Sequence, residues 1–267
     1  MSLPAREARS LLFVPGDRPE RFAKAAASGA DAIIIDLEDA VPRDRKPEAL
    51  QHALAWLAAG EEAVVRINGD GTPWHDAEVA ALASTTAVLM APKAHDADRL
   101  GVLHRAVGDR IVALIETAVG IRDADLVASA PGVVRLALGN VDLAAELNVD
   151  PASHRALAYA RGRLVAASAA AAIAPPVDGV TTALDAPELL AADLAVTTEL
   201  GFGAKLCIHP RQVEPVNAAL RPSEDELRWA RRVLDSATAE GVHVVDGVMI
   251  DRPVVVRAKR IVARGGG

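Results

Sequence analysis

The stretch Ile111-Val112-Ala113-Leu114-Ile115 is an unbroken apolar run that ends at a carboxylate, Glu116. Its apolar residues do not alternate with polar ones, which is typical of a parallel strand buried on both faces. Ala32-Ile33-Ile34-Ile35 has the same character and also ends at a carboxylate, Asp36. The two stretches therefore predict a parallel sheet whose strands end in acidic residues.

Further runs of this kind, each bounded by Gly, Pro, Asp or Asn, bring the predicted strands to eight. In chain order they are Ser10–Gly16, Asp31–Asp39, Ala63–Asn68, Ala87–Lys93, Arg110–Thr117, Val133–Asn140, Asp178–Asp185 and Ala204–Pro210. Because helical segments separate the strands, the pattern predicts an α/β fold, a closed (β/α)8 TIM barrel. A doubly wound open sheet is the alternative, but the first strand ends in Val14-Pro15-Gly16-Asp17, which is no Gly-rich phosphate loop.

The segments between the strands carry helix signals. The predicted helices are Pro19–Ser28, Arg43–Ala59, His75–Ala83, Asp96–Val107, Ala118–Ala130, Pro151–Ala172, Pro187–Leu200 and Arg211–Leu220. Asp150 before Pro151 resembles an N-cap followed by a proline in the first turn, so the longest of these helices is predicted to begin there.

The chain continues beyond the eighth predicted helix. An additional C-terminal helix is predicted over Ser223–Ala239, because Ser223 with Glu226 three residues later resembles a capping box. The tail that follows has more apolar residues than one barrel core needs. We therefore expect a single barrel domain over residues 1–267, whose C-terminal helix and tail, 222–267, pack on a neighbouring subunit.

Composition narrows the class of protein. The chain has 267 residues, 51% of them hydrophobic and 24% charged, which excludes a disordered chain and suits one barrel. A net charge of −7 argues against a dedicated nucleic-acid binder. The single cysteine, Cys207, cannot form a disulfide framework or a zinc cluster within the chain. Since no stretch approaches the roughly 20 apolar residues of a membrane span, we expect a soluble, cytoplasmic protein without membrane partners.

Polar residues follow several of the predicted strands, where the active sites of such barrels lie. They are Asp36, Glu38, Asp39, Arg66, Asn68, Lys93, Glu116, Asn140, Asp142, Asp185 and His209. Carboxylates without a histidine pair indicate a hard cation, and Mg²⁺ usually takes one or two protein carboxylates. Glu116 and Asp142 follow adjacent strands and are predicted to supply them. The alternative is that each caps a helix or pairs with an arginine.

Three other strand-end residues have two interpretations each. Arg66 is a predicted anion clamp, because a guanidinium can bind a carboxylate with two hydrogen bonds, and ion pairs with Glu38 or Asp39 can hold at the same time. Lys93 could form a Schiff base, although nearby acids favour an ion pair. His209 could carry protons or hold a backbone turn.

Five strings, in this order along the chain, resemble the citrate lyase beta subunit-like family. This family is a branch of the HpcH/HpaI aldolase superfamily, alongside malyl-CoA and citramalyl-CoA lyases. The strings are Ser10-Leu11-Leu12-Phe13-Val14-Pro15-Gly16, Asp36-Leu37-Glu38-Asp39-Ala40-Val41, Val65-Arg66-Ile67-Asn68, Ile115-Glu116-Thr117-Ala118-Val119-Gly120 and Cys207-Ile208-His209-Pro210.

The resemblance implies a Mg²⁺-dependent barrel lyase that assembles as a homotrimer or hexamer and uses a coenzyme A thioester as substrate. Its metal ligands fall on Glu116 and Asp142, and its substrate arginine on Arg66. The resemblance further implies a keto-acid site at Glu116 and the backbone of Gly139, Asn140 and Val141. It implies contacts to the CoA phosphates from Arg9, Arg18 and Lys24. Asp251 would act as an acid/base residue in a neighbour's active site, and either Asp251 or Glu38 would move protons.

The activity expected from this resemblance is reversible carbon–carbon cleavage. A β-hydroxyacyl-CoA of the citramalyl-CoA or malyl-CoA type would give acetyl-CoA, or a homologue, and an α-keto acid. One alternative is a class II pyruvate- or oxaloacetate-type aldolase on free hydroxy acids, which needs no CoA site. Another is a non-catalytic or carrier-docking subunit of a citrate lyase-like complex.

Overall fold

The computed structural model describes residues 4–236, 243–245 and 248–265. The chain divides into two compact units between Asn217 and Ala218. The first unit is a closed barrel of eight parallel strands that pair in chain order and close through the first and eighth. The strands are β1 (Ser10–Pro15), β2 (Ala32–Asp36), β3 (Val64–Arg66), β4 (Val88–Ala91), β5 (Ile111–Ile115), β6 (Val133–Leu138), β7 (Ala174–Asp178) and β8 (Ala204–Cys207). The predicted (β/α)8 barrel is confirmed.

Helices alternate with the strands, as the pattern predicts, and α1 precedes β1 while α11 follows β8. They are α1 (Pro4–Glu7), α2 (Phe22–Ala26), α3 (Lys46–Ala58), α4 (His75–Leu82), α5 (Ala97–Val107), α6 (Ala118–Arg122), α7 (Ala124–Ala128), α8 (Asn140–Leu147), α9 (Ala158–Ala170), α10 (Pro187–Leu200) and α11 (Val213–Leu220). Short 3₁₀ turns cover Pro19–Arg21, Arg43–Arg45 and Pro210–Gln212. Among the described residues, no helix combines the length and the apolar character needed to span a bilayer.

The continuous apolar runs form strands because both of their faces are buried. One core cluster joins residues from all eight strands, including Leu11, Ile34, Val112 and Leu114. Full burial of one such side chain stabilises the fold by about 1.5–3 kcal/mol. The runs therefore place the eight strand ends, and the residues that follow them, on a rigid frame.

The strand-entry end of the barrel is tied to α1 by Arg135, a buried residue of β6. Its guanidinium donates to the carbonyl oxygens of Ala5, Ala8 and Pro175 at 2.9, 2.7 and 2.6 Å. Burial lowers the pKa of Arg135 to about 9. The role of Arg135 was not predicted, because nothing near it in the sequence identifies its carbonyl partners.

The seventh strand was predicted wrongly over Asp178–Asp185, since β7 ends where that prediction begins. Pro175 and Pro176 argue against a strand in the sequence, because proline cannot donate to a sheet ladder. The structure accommodates them where the β6–β7 register is irregular. Asp178, and not Asp185, therefore ends the seventh strand.

Two helix predictions also need correction. The helix predicted over Pro151–Ala172 begins only at Ala158, as α9, because Asp150 accepts a hydrogen bond from Ala152 N (2.9 Å) in a turn. The helix α8, over Asn140–Leu147, was not predicted at all. The helix predicted over Ala118–Ala130 is two short helices, α6 and α7, that meet at Asp123.

The second unit contains α12 (Glu224–Ser236), the antiparallel pair β9 (His243–Val245) and β10 (Val248–Ile250), and α13 (Arg252–Gly265). Its own apolar cluster includes Ala230, Val233, Ala258 and Ile261. The predicted capping box is present, with Ser223 N donating to Glu226 Oε2 (2.8 Å) and Glu226 N donating to Ser223 Oγ (3.1 Å). The predicted end of this helix, residues 237–239, lies outside the described residues. Packing of residues 222–267 on a neighbouring subunit stays a prediction.

Candidate active site

Four strand ends converge on the ammonium group of Lys93, which follows β4. Its Nζ donates to Glu38 Oε1 (2.9 Å) and lies 3.9 Å from Glu116 Oε1 and 3.9 Å from Asp142 Oδ2. These carboxylates follow β2, β5 and β6. The structure thus brings together Glu38, Lys93, Glu116 and Asp142, which are far apart in the sequence.

The backbone of Lys93 is held in an uncommon conformation. Its φ of 51° lies in the left-handed region, which a residue with a side chain rarely adopts. The turn allows Lys93 N to donate to Glu116 Oε1 at 2.9 Å, so both the backbone and the ammonium of Lys93 serve the same carboxylate cluster. Such strain is common at functional sites.

The charge of Lys93 is stabilised by the acids around it. Burial opposes this charge, but the hydrogen bond to Glu38 and the charges of Glu38, Glu116 and Asp39 raise the pKa of Lys93 above its ordinary value. A Schiff-base lysine needs a lowered pKa. The geometry therefore favours the ion-pair interpretation of Lys93.

Glu116 is buried at the end of β5, with only 3% of its surface exposed. Burial, followed by the negative charge of Glu38, raises the pKa of Glu116 to about 7, although the Lys93 N–H opposes the shift. Gly139 packs directly on this carboxylate: a Cβ at that position would lie 2.5 Å from Glu116 Oε2. The exit of β6 must therefore be glycine for Glu116 to occupy its place.

Glu38 carries a buried oxygen that has no hydrogen-bond partner among the described residues, its Oε2. This oxygen lies 3.1 Å from Arg66 Nη1 without hydrogen-bond geometry. Burial raises the pKa of Glu38, while the charges of Arg66 and Lys93 oppose the shift. The carboxyl group is therefore a candidate proton carrier, with one oxygen that accepts no hydrogen bond within the described residues.

Arg66 is more fully paired than predicted. Its Nε and Nη2 donate to the two oxygens of Asp36 at 2.7 and 2.6 Å, while Nη1 lies 3.5 Å from Asp39. Asp36 also accepts from the backbone N–H groups of Glu38 and Ala40, so it folds the loop after β2. The Nε and Nη2 groups of Arg66 are thus occupied by Asp36, and Nη1 lies beside Glu38 and Asp39.

Lys46 and Glu78 are two further positioning residues that were not predicted from the sequence. Lys46 Nζ donates to the carbonyl oxygens of Leu37 and Glu38 at 2.8 and 2.7 Å. Asn68 Nδ2 donates to the same Leu37 oxygen (2.8 Å) and to Glu78 Oε1 (2.5 Å). Both helical residues thus hold the loop that carries Glu38, but neither lies in a local pattern that marks it.

Three other predicted residues make contacts of their own. His209 Nδ1 accepts from Arg211 N (3.1 Å) and caps a 3₁₀ turn, which favours its turn-holding interpretation. Asp185 is exposed beside Arg211. Asp251 belongs to the second unit, where its Oδ1 accepts from Val254 N (3.1 Å) at the start of α13. Its proposed action in a neighbour's site stays a prediction.

The three basic residues predicted to contact CoA belong to three different segments around β1. Arg9 precedes β1 and pairs with Asp31 (2.8 Å), which precedes β2, so it lies at the strand-entry end, opposite the carboxylate cluster. Arg18 is exposed in the loop after β1, at the same end of the barrel as the cluster. Lys24 is exposed on α2. The predicted contacts of the three residues to CoA stay a prediction.

Comparison with known proteins identifies the family. Residues 9–210 match the family described as HpcH/HpaI aldolase/citrate lyase. The chain belongs to this family. Among its curated relatives is a citrate lyase subunit beta-like protein of Mycobacterium tuberculosis, 39% identical over 96% of this chain and 94% of the relative. A (3S)-malyl-CoA thioesterase of Cereibacter sphaeroides is 34% identical over 99% of this chain and 96% of the relative.

Solved structures of HpcH/HpaI family members match the barrel. The crystal structure of protein CitE from Mycobacterium tuberculosis in complex with magnesium, acetoacetate and coenzyme A superposes with a TM-score of 0.83 and 36% identity. The match covers 98% of this chain and all of CitE. This CitE therefore binds a divalent metal, a keto acid and CoA on the same fold.

The carboxylate cluster suits the magnesium of that relative. Among the described residues, no group of three or more His, Cys, Asp or Glu side chains is arranged as a metal cage. Mg²⁺ does not need one, because it keeps several waters and takes one or two carboxylates. Glu116 and Asp142 both approach one cationic nitrogen, and Glu38 Oε2 is buried without a hydrogen bond. The donor set therefore fits a hard cation.

Because the pKa of Glu116 is raised, the metal-free protein is predicted to lose stability as the pH rises. Between its ordinary value and about 7, the folded state holds a proton that the unfolded state has lost. The free energy of unfolding therefore falls as pH rises through this range, by about 1–3 kcal/mol. Urea unfolding in EDTA at pH 5 and pH 8 should show this loss in the wild type and a smaller loss in Glu116→Gln. Equal pH dependence of the two proteins would contradict the prediction.

Proposed function

We propose that the protein is a Mg²⁺-dependent lyase that reversibly cleaves a β-hydroxyacyl-CoA of the malyl-CoA or citramalyl-CoA type. The products are acetyl-CoA, or a homologue, and an α-keto acid. The observation that carries the proposal is the convergence of Glu38, Glu116 and Asp142 on Lys93, beside Arg66. The relatives support it, since they include a malyl-CoA thioesterase and a CitE that holds magnesium, acetoacetate and coenzyme A.

In this proposal Glu116 and Asp142 hold the metal. A bound Mg²⁺ acidifies the substrate hydroxyl and stabilises the carbonyl oxygen that replaces it. Arg66 supplies a fixed positive charge through Nη1 and offsets negative charge in the transition state. The backbone of Gly139, Asn140 and Val141 lies at the N-terminus of α8, whose first-turn N–H groups favour a carboxylate, although the Gly139 N–H itself donates to Ile115 O (2.9 Å).

Glu38 moves the proton in this scheme. It takes the hydroxyl proton as the bond between the hydroxyl carbon and the thioester CH₂ breaks, and the electron pair of that bond forms the thioester enolate. Return of the proton to the CH₂ carbon gives acetyl-CoA, so that atoms balance on both sides. Burial, which raises the pKa of Glu38, suits a group that must accept and release a proton. Asp251 of a neighbouring chain is the alternative carrier, in a trimer or hexamer.

Thioester hydrolysis is the second candidate function, because a relative named (3S)-malyl-CoA thioesterase covers nearly the whole chain. Water would attack the thioester carbon, and the leaving sulfur would take a proton to give free CoA and a hydroxy diacid. The same site would serve both reactions, since both start from a CoA ester with a hydroxy-carboxylate end. The products distinguish them.

The condensation direction tests the proposal. Purified protein is incubated with Mg²⁺ and either acetyl-CoA or propionyl-CoA, together with glyoxylate, pyruvate or oxaloacetate, and products are identified by mass. We expect a β-hydroxyacyl-CoA from at least one pair, and none in EDTA. Turnover of free hydroxy acids without CoA would instead favour the class II aldolase. Inactivity of the folded protein toward every substrate would favour a non-catalytic or carrier-docking subunit.

A further inference from the structure

Asn140 is the first residue of α8 and is buried, with 3% of its surface exposed. Its side chain bonds to the loop after β7 at two points. Oδ1 accepts from Val180 N (2.8 Å), and Nδ2 donates to Val180 O (3.1 Å) and to Pro151 O (3.5 Å). The amide thus pairs with the backbone of Val180 as a neighbouring strand would.

Gly179 shows how closely this side chain fits the loop. A Cβ at Gly179 would lie 2.1 Å from Asn140 Oδ1 and 2.5 Å from Asn140 Cγ. The loop therefore approaches Asn140 more closely than any residue with a side chain permits. The close pairing of the two segments therefore requires both the Asn140 side chain and a glycine at position 179.

Asp142 lies two residues after Asn140, in the first turn of α8. Its carboxylate is about half exposed, and within the described part of the chain its one close polar contact is the 3.9 Å ion pair with Lys93. The carboxylate makes no hydrogen bond within the described residues, so its place is set by the first turn of α8. That turn is anchored on one side by Gly139, which packs on Glu116, and on the other by Asn140.

We propose that Asn140 is a positioning residue that sets the Mg²⁺ affinity of the site by fixing Asp142 relative to Glu116. The inference rests on the proposed metal site. Because its amide is engaged by Val180 and Pro151, the Asn140 side chain acts through the helix and not on the substrate. Residues that orient metal ligands typically change metal affinity about 10–100-fold when they are replaced.

The test is Mg²⁺ binding by isothermal titration calorimetry without substrate, on Asn140→Ala and Gly179→Ala. The first removes both bonds to Val180, and the second displaces an intact Asn140. We expect about tenfold or weaker Mg²⁺ binding in both. The matched control is Asn217→Ala, which removes an asparagine bond to Gly29 O (2.9 Å) at the strand-entry end and should bind Mg²⁺ as the wild type does. Thermal unfolding verifies that each variant is folded.

The outcomes separate this inference from the metal assignment. Wild-type Mg²⁺ affinity in folded Asn140→Ala or Gly179→Ala, together with lost binding in Asp142→Asn, would overturn the role of Asn140 alone. Wild-type affinity in Asp142→Asn would overturn the metal assignment and the inference with it. A purely structural role predicts a lower melting temperature with unchanged affinity, so the affinity decides.

Discussion

Replacement of Asp142 by Asn or of Glu116 by Gln is expected to lower kcat/KM for cleavage at least about a thousandfold, which corresponds to about 4 kcal/mol of transition-state stabilisation. Each substitution removes one of the two carboxylates proposed to hold Mg²⁺. The fold should survive, because Asp142 is half exposed and the amide oxygen introduced by Glu116→Gln can still accept from Lys93 N.

The measurement is steady-state cleavage of malyl-CoA at saturating Mg²⁺, with EDTA blanks and a thermal unfolding curve for each protein. Asp185→Asn is the matched control, because Asp185 is an exposed carboxylate in the loop after β7 that pairs with Arg211. Full activity in a folded Asp142→Asn or Glu116→Gln protein would contradict the assignment of Glu116 and Asp142 as Mg²⁺ ligands.

The second large effect is expected from Arg66→Lys. Lysine keeps a positive charge but cannot form the two-point fork with Asp36 while also placing a charge beside Glu38. We expect kcat/KM to fall about a hundredfold or more, and the free energy of unfolding to fall by about 1.5–3 kcal/mol, because one of the two charge-assisted hydrogen bonds to Asp36 is lost.

Asp36→Asn separates the contribution of Arg66 to catalysis from its contribution to stability. It weakens the same ion pair and the loop after β2, but leaves the Arg66 charge in place. If Arg66 acts on the reaction, Arg66→Lys must lose more kcat than Asp36→Asn at similar stability, as measured by urea unfolding beside steady-state kinetics. Equal kcat values in the two variants would show that Arg66 only supports the fold.

The barrel was predictable because its strands are buried on both faces and therefore read as continuous apolar runs. The seventh strand was missed because Pro175 and Pro176 give the opposite local signal, which an irregular register overrides. The start of α9 was misplaced because the Asp150-Pro151 pair resembles a helix start, although Asp150 caps a turn. Local signals failed where pairing with another segment decided the structure.

The candidate site shows the same division. Glu38, Lys93, Glu116 and Asp142 were predicted because strand ends of one barrel must meet, whatever their separation in the sequence. Asp36, Lys46 and Glu78 received no role, since their partners are set only by the folded loops. Arg9 precedes its strand, whereas the cluster residues follow theirs. It therefore lies at the opposite end of the barrel from the cluster.

The most direct test of the account is the product of malyl-CoA and citramalyl-CoA turnover, identified by mass spectrometry with Mg²⁺ and with EDTA. We predict acetyl-CoA with glyoxylate from the first substrate or with pyruvate from the second, only when Mg²⁺ is present. Free CoA with the intact hydroxy diacid as the sole products would contradict carbon–carbon cleavage and favour thioester hydrolysis. Equal formation of acetyl-CoA in EDTA would contradict the metal site at Glu116 and Asp142.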